Sequence, residues 1–302
     1  MRVSYFFKNT KPFGRLVGVL FIYVACIFLT VPLASLTGLI HPAEDVDAAR
    51  LELLSEGLAQ LVVFLLSAIL FVTLFCEHPR EALGLRLQGR YWLLGLVGAV
   101  IIILLIPATD WLSVWNEKWT FGSQEETMRA TAMEMKDKML WLLSPTSAGD
   151  LLLQVFVMAL VPAVCEELFF RGALQPTLQA VFRNSHVGIL FTAIVFSLAH
   201  GDMYGFLPRL LLGLLLGYLY WGTGSLVVNV CAHFVNNMVV VVACHFYNTG
   251  VFALNPFEPI GLPWALTAGC SLGAILLFYL YFVKNPKNLP AETDSTPSAI
   301  GR

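Results

Sequence analysis

Charge is what this sequence has least of. Of its 302 residues, 13% are Asp, Glu, Lys or Arg, where a soluble globular domain carries roughly a quarter. With 58% hydrophobic residues and a mean hydropathy of +0.75, the composition excludes a soluble fold and points to a helical membrane protein. A formal net charge of −2 leaves no basic patch interleaved with aromatics, so no nucleic-acid partner is expected. The six cysteines, Cys26, Cys76, Cys165, Cys231, Cys244 and Cys270, form no CxxC or finger spacing. Each falls in or beside an apolar run, and they are read as small buried hydrophobes rather than redox or metal groups. There is no HExxH, so the helix-borne zinc site of the soluble zincins is missing. No internal repeat suggests the paired halves of a transporter.

What is present is a series of long apolar runs. A bilayer asks for about 20 apolar residues per helix, and eight segments meet or approach that length, near 15–40, 57–76, 91–107, 150–171, 187–201, 207–221, 225–247 and 262–283. The expectation is an all-α fold, a polytopic membrane helix bundle of about eight transmembrane helices. Residues 1–149 then hold the first three spans and a long outer loop, 150–247 a core of four spans, and 248–302 the last span with a polar, Pro-rich tail from Asn285 that is expected to be disordered. The first run follows Arg2, Lys8, Lys11 and Arg15, yet it is too long for a cleaved signal and lacks an A-x-A end, so it counts as a span. The fifth and sixth are short and carry Ser197, His200 and Arg209, which requires shielding by neighbouring helices.

If the N-terminus is cytoplasmic, 12 of the 18 basic residues fall on that side and 6 on the other. This predicts both termini in the cytoplasm of a bacterial cell, with the spans in its inner membrane. Glu44, Asp45, Asp47, Glu52 and Glu56 gather in or beside the first outer loop. In the long polar stretch 108–149, Trp111, Trp115 and Trp119 are spaced as a helical stripe and 125–138 reads as a solvated helix; together they suggest an interfacial element.

Ionisable groups within spans cost a few kcal/mol each on insertion scales, so where they occur they mark function by default. Three clusters stand out: Glu166, Glu167 and Arg171 in the fourth span, Ser197 and His200 in the fifth, and His233, Asn236 and Asn237 in the seventh. Glu167 and Arg171 are four apart with the acid first, the favourable order for an ion pair on one face, while Glu166 is turned about 100° away. One carboxylate is thus neutralised locally and the other points into the bundle, as a general base would. His233 and Asn237 share a face, and His200 supplies a second imidazole. Two imidazoles, a carboxylate and an amide can hold and activate one water, directly or through a divalent metal.

At these residues the sequence resembles the CPBP intramembrane proteases, the CAAX-protease and bacteriocin-processing group also called Abi proteins. Glu166-Glu167-x-x-x-Arg171, Phe196-x-x-x-His200 and His233-x-x-x-Asn237 match its EExxxR, FxxxH and HxxxN motifs in order, and 217–226 resembles its approach to the third. The resemblance covers about 150–247 and makes that segment the catalytic core. It implies that Glu166 activates water, that His200 helps hold it, that His233 with Asn237 stabilises the oxyanion, and that Glu167 and Arg171 form a supporting ion pair. Members have been described as metalloproteases, so a divalent metal, zinc, on Glu166, His200 and His233 is a further implication. The partners would be the lipid bilayer and a peptide or membrane-protein substrate, processed as a CAAX-type tail or a leader peptide. A proton-coupled transporter and a non-catalytic bacteriocin-immunity protein stay open as alternatives. On the span boundaries above, Glu166 and His200 differ in depth by ~12 Å at 1.5 Å per residue. A shared site therefore needs the fourth helix to continue past Arg171 or the fifth to begin nearer the inner surface.

Overall fold

The computed structural model describes residues 7, 9–40, 46–86 and 88–284, and among them there is no strand. Eight apolar helices follow one another: α1 (Pro12–Ile40), α2 (Val46–Phe75), α3 (Gly89–Asn116), α5 (Ala148–Phe182), α6 (Ser185–Leu198), α7 (Phe206–Thr223), α8 (Leu226–Asn248) and α9 (Trp264–Val283), with the polar α4 (Glu125–Leu142) between α3 and α5. Seven of the apolar stretches are long enough to cross a bilayer. The exception, α6, has 14 residues and at 1.5 Å per residue reaches only ~21 Å. The polar tail from Asn285, together with Arg2, Lys8, Glu44 and Asp45, lies outside the described residues.

Several helices outrun their apolar stretches. α2 begins at Val46 rather than near 57, so Asp47, Glu52 and Glu56 ride on its first turns instead of lying in a loop. α3 continues to Asn116 rather than stopping near 107: Pro107 sits inside it, which membrane helices tolerate because neighbours re-satisfy the freed carbonyl. Trp111 and Trp115 therefore lie on α3, ring centroids 5.5 Å apart, while Trp119 leaves the helix and packs on Phe121 and Phe206. α4 is tied down at both ends. Glu125 takes hydrogen bonds from the Phe121 amide (2.8 Å), Tyr204 Oη (2.9 Å) and Arg129 (2.6 Å), and Lys138 bridges Glu52 (2.9 Å) and Glu56 (2.7 Å) on α2. The amide of Phe121, with Tyr204 and Arg129 beside it, holds the Glu125 carboxyl below its ordinary range.

In lipid, burial of apolar surface between helices gains little over contact with acyl chains, so close packing and interhelical hydrogen bonds must hold the bundle. α3 runs against α7, α8 and α9, where Gly95 and Gly98 let its backbone approach Cys231 and Ala232. A second core joins α1, α2, α5 and α6 around Phe71, Phe169, Phe170 and Phe196. The cysteines are free, and each is buried or half-buried.

α5 is the longest span, 35 residues, and it is not a uniform α-helix. Wider π-type turns cover Val155–Leu160 and Phe170–Leu174, each followed at the second position by a proline, Pro162 and Pro176. A proline removes one backbone bond and pushes away the carbonyl four residues earlier, and in both cases that carbonyl lies in the widened turn. Past Arg171 the helix goes on to Phe182, the chain reverses through Arg183 at φ 51°, and Asn184 caps α6 by accepting the amides of His186 (2.9 Å) and Val187 (3.2 Å). This removes the offset in depth. Glu166 lies sixteen residues before the turn at Phe182 and His200 fifteen after Ser185, placing them ~24 and ~22 Å from it at 1.5 Å per residue.

The hairpin closes because Gly188 has no side chain: a Cβ there would stand 2.7 Å from the Gln179 amide nitrogen and 2.8 Å from its Cα. Backbone atoms cannot swing aside. Gly188→Ala is expected to cost about 1–3 kcal/mol, as overpacking does, and to lower the thermal midpoint in detergent. A midpoint equal to wild type would show that the α5–α6 contact is loose.

Candidate active site

Glu167 is the hub of the buried polar cluster. Its Oε1 accepts from Arg171 Nη1 at 2.8 Å, one turn along α5, and lies 2.9 Å from His233 Nδ1 on α8; its Oε2 accepts from Asn229 Nδ2 at 2.9 Å. Arg171 also donates through Nη2 to the Gly213 carbonyl of α7 at 3.1 Å. Glu167, Arg171 and Asn229 are fully buried and His233 nearly so. A carboxylate paired with Arg171 can only accept, so the proton between Glu167 and His233 resides on Nδ1 and the imidazole presents Nε2 to the other side.

On that other side stands Glu166. Its Oε2 lies 3.9 Å from His233 Nε2 and, though buried, has no hydrogen-bond partner in the protein. The Gln60 side chain of α2 reaches the same carboxylate. A gap of this size is too long for a direct hydrogen bond, yet a water about 2.8 Å from both atoms fits to one side of the line between them, with an angle near 90°.

Phe196 of α6 is the common wall. Its ring lies edge-on to His233 (centroids 5.8 Å) and to His200 (5.0 Å), and the Arg171 guanidinium stands 5.0 Å from its centre. His200 Nδ1 meets the Phe196 carbonyl at 2.8 Å; since a carbonyl only accepts, Nδ1 donates and Nε2 carries the free lone pair. His200 thus sits at the edge of the cluster, half-buried, joined to it through one phenyl ring. Asn237 is bonded to its neighbour, its Oδ1 accepting from Asn236 Nδ2 at 3.1 Å. Two residues that the motif spacing did not single out reach the cluster, Asn229 and Gln60. The signal for Asn229 is its place four residues before His233, on the same face; for Gln60 it is a lone amide entering an apolar run.

Beyond Asn236 a cavity of about 770 Å³ opens between α3, α7, α8 and the segment 251–260. That segment is pinned where Asp110 accepts the amides of Ile260 (2.7 Å) and Leu262 (2.9 Å). Arg209 faces the cavity while paired with Asp202 at 3.0 Å.

Among the described residues, no three His, Cys, Asp or Glu side chains converge closely enough to hold a metal ion. Glu166 and His233 approach each other, but His200 reaches them only across the Phe196 ring, so the donors as arranged do not converge on a zinc ion.

The helical membrane bundle thus sets a carboxylate and an imidazole 3.9 Å apart in its interior. Residues 148–239 match the family model described as type II CAAX prenyl endopeptidase Rce1-like. The match begins with α5 and ends at Val239 in α8, about a third of the chain, and contains every residue of the cluster except Gln60. Over these residues the chain is similar to the type II CAAX prenyl endopeptidases. No curated protein and no solved structure matches the chain.

Proposed function

We propose that this protein hydrolyses a peptide bond within the membrane by general-base activation of water at Glu166, processing a CAAX-type tail or a leader peptide. The observation that carries this is the buried, unpartnered Oε2 of Glu166 facing His233 Nε2, while Glu167 fixes the imidazole from behind. Glu166 removes a proton as the water oxygen bonds to the carbonyl carbon, and the carbonyl π electrons move to its oxygen. His233, through its bare Nε2, accepts the second water hydrogen and holds the water in line, with His200 closing the site across the Phe196 ring. The Asn237 carboxamide donates to the oxyanion through Nδ2. Collapse of the tetrahedral species breaks the C–N bond, and the proton held by Glu166 passes to the departing amine. Each part follows known chemistry for positioned acids, bases and donors. The basic-residue bias supports termini on the cytoplasmic face.

No step passes through a metal, because the donors do not fit one. The test is cleavage of an internally quenched, farnesylated peptide ending in a CAAX sequence by purified protein in detergent. Cleavage should persist in excess chelator and fall by about 10²-fold or more in His233→Ala and His200→Ala. Activity lost to chelator and restored by zinc would make the metal necessary. Equal activity in both alanine variants and wild type would refute the site.

A further inference from the structure

We propose that Asn229 is a positioning residue of the hydrolytic site: its carboxamide clamps Glu167 so that one fixed carboxylate oxygen is presented to His233. This rests on the hydrolytic reading above and adds a residue to it.

α8 grips Glu167 with two groups spaced four residues apart on one face, His233 at Oε1 and Asn229 at Oε2. Asn229 Nδ2 also donates to the Leu216 carbonyl of α7 at 2.6 Å. Both neighbours are pure acceptors, so the amide nitrogen, not its oxygen, must face them. Glu167 is then held at three points, by Arg171, His233 and Asn229, and cannot turn about its last torsion. Without Asn229, Oε2 is a buried orphan, and the carboxylate gains by rotating to share Arg171 between its oxygens. The bond to His233 Nδ1 weakens, and Nε2 loses its aim at the space beside Glu166. A hydrogen-bond partner that orients a ligand or base in this way is typically worth 10–100-fold in activity.

The bland account is that Asn229 only staples α8 to α7. Gln175 provides the control. It too is a buried amide that donates to an α7 carbonyl, Gly217 at 3.1 Å, and leaves its own oxygen without a partner, but no hydrogen bond or ion pair joins it to Glu167. In the farnesylated-peptide assay, Asn229→Leu is expected to lower kcat by about 10–100-fold with KM little changed, the pattern of a lost transition-state interaction. Asn229→Asp, which sets a second acceptor against Glu167, should fall at least as far. Gln175→Leu should lose comparable thermal stability and keep its kcat within about twofold of wild type.

Wild-type kcat in folded Asn229→Leu, or an equal fall in Gln175→Leu, would overturn the proposal. Asn229→Ala is the second route. If neither it nor Asn229→Leu folds while Gln175→Leu does, Asn229 is structural and the proposal fails. An active Glu166→Gln would instead bring down the hydrolytic reading itself.

Discussion

Glu166→Gln is expected to lower kcat for peptide cleavage by about 10²–10⁴-fold, the usual contribution of a positioned general base, while the protein folds and inserts as wild type does. The substitution keeps the shape of the side chain and removes only its ability to take a proton. Little in the bundle depends on its charge: Oε2 has no hydrogen-bond partner, Gln60 can bond an amide as well as a carboxylate, and Arg171 is committed to Glu167 and Gly213. Thermal unfolding in detergent should therefore change little or rise, since a buried carboxylate is replaced by a neutral amide. Measured together, cleavage rate and unfolding midpoint separate the assignments of the two adjacent glutamates. A Glu166→Gln enzyme that still cleaves would transfer the role of base elsewhere.

Arg171→Met should have the largest effect on folding. The guanidinium is completely buried, and its removal leaves Glu167 with no compensating cation, a loss of about 3–5 kcal/mol for a buried pair broken on one side. The expected outcome is poor recovery from the membrane or a collapsed unfolding midpoint. The double variant Glu167→Gln/Arg171→Met tests the cause: taking away both charges should restore much of the stability, because no buried charge is then left uncompensated. It should not restore cleavage, because the neutral amide put in place of Glu167 cannot bind His233 Nδ1–H as a carboxylate does. Recovery of neither would point to the bond between Arg171 and the Gly213 carbonyl as the main contribution.

The two adjacent glutamates mark where the sequence was legible and where it was not. The Glu167–Arg171 pair follows from spacing within one helix, because an acid four residues before a base faces it whatever the rest of the chain does. The contact of Glu167 with His233 joins residues 66 positions apart, and spacing within a helix says nothing about which face of α8 turns toward α5. Asn229 was open to the same periodicity as Asn237, but the motif runs forward from His233 and the useful amide lies one turn behind. The spans were visible as apolar runs, whereas their ends were not. Acidic turns hid the start of α2, Pro107 suggested a stop that the surrounding helices prevent, and the charges around Arg171 masked the eleven further residues of α5. That last extension is what brings His200 level with Glu166.

The length of α5 also limits what can be cut. Glu166 sits eighteen residues from one end of that helix and sixteen from the other, and a helix centred in a hydrocarbon layer about 30 Å thick would hold it ~15 Å below either edge. A folded body cannot follow its chain to that depth. At ~3.3–3.6 Å per extended residue, some four or five residues without secondary structure must separate the nearest folded element from the scissile bond. Reach, before any side-chain preference, selects loose tails and unravelled helix ends, and a substrate stiffened to within about three residues of its cleavage point should escape.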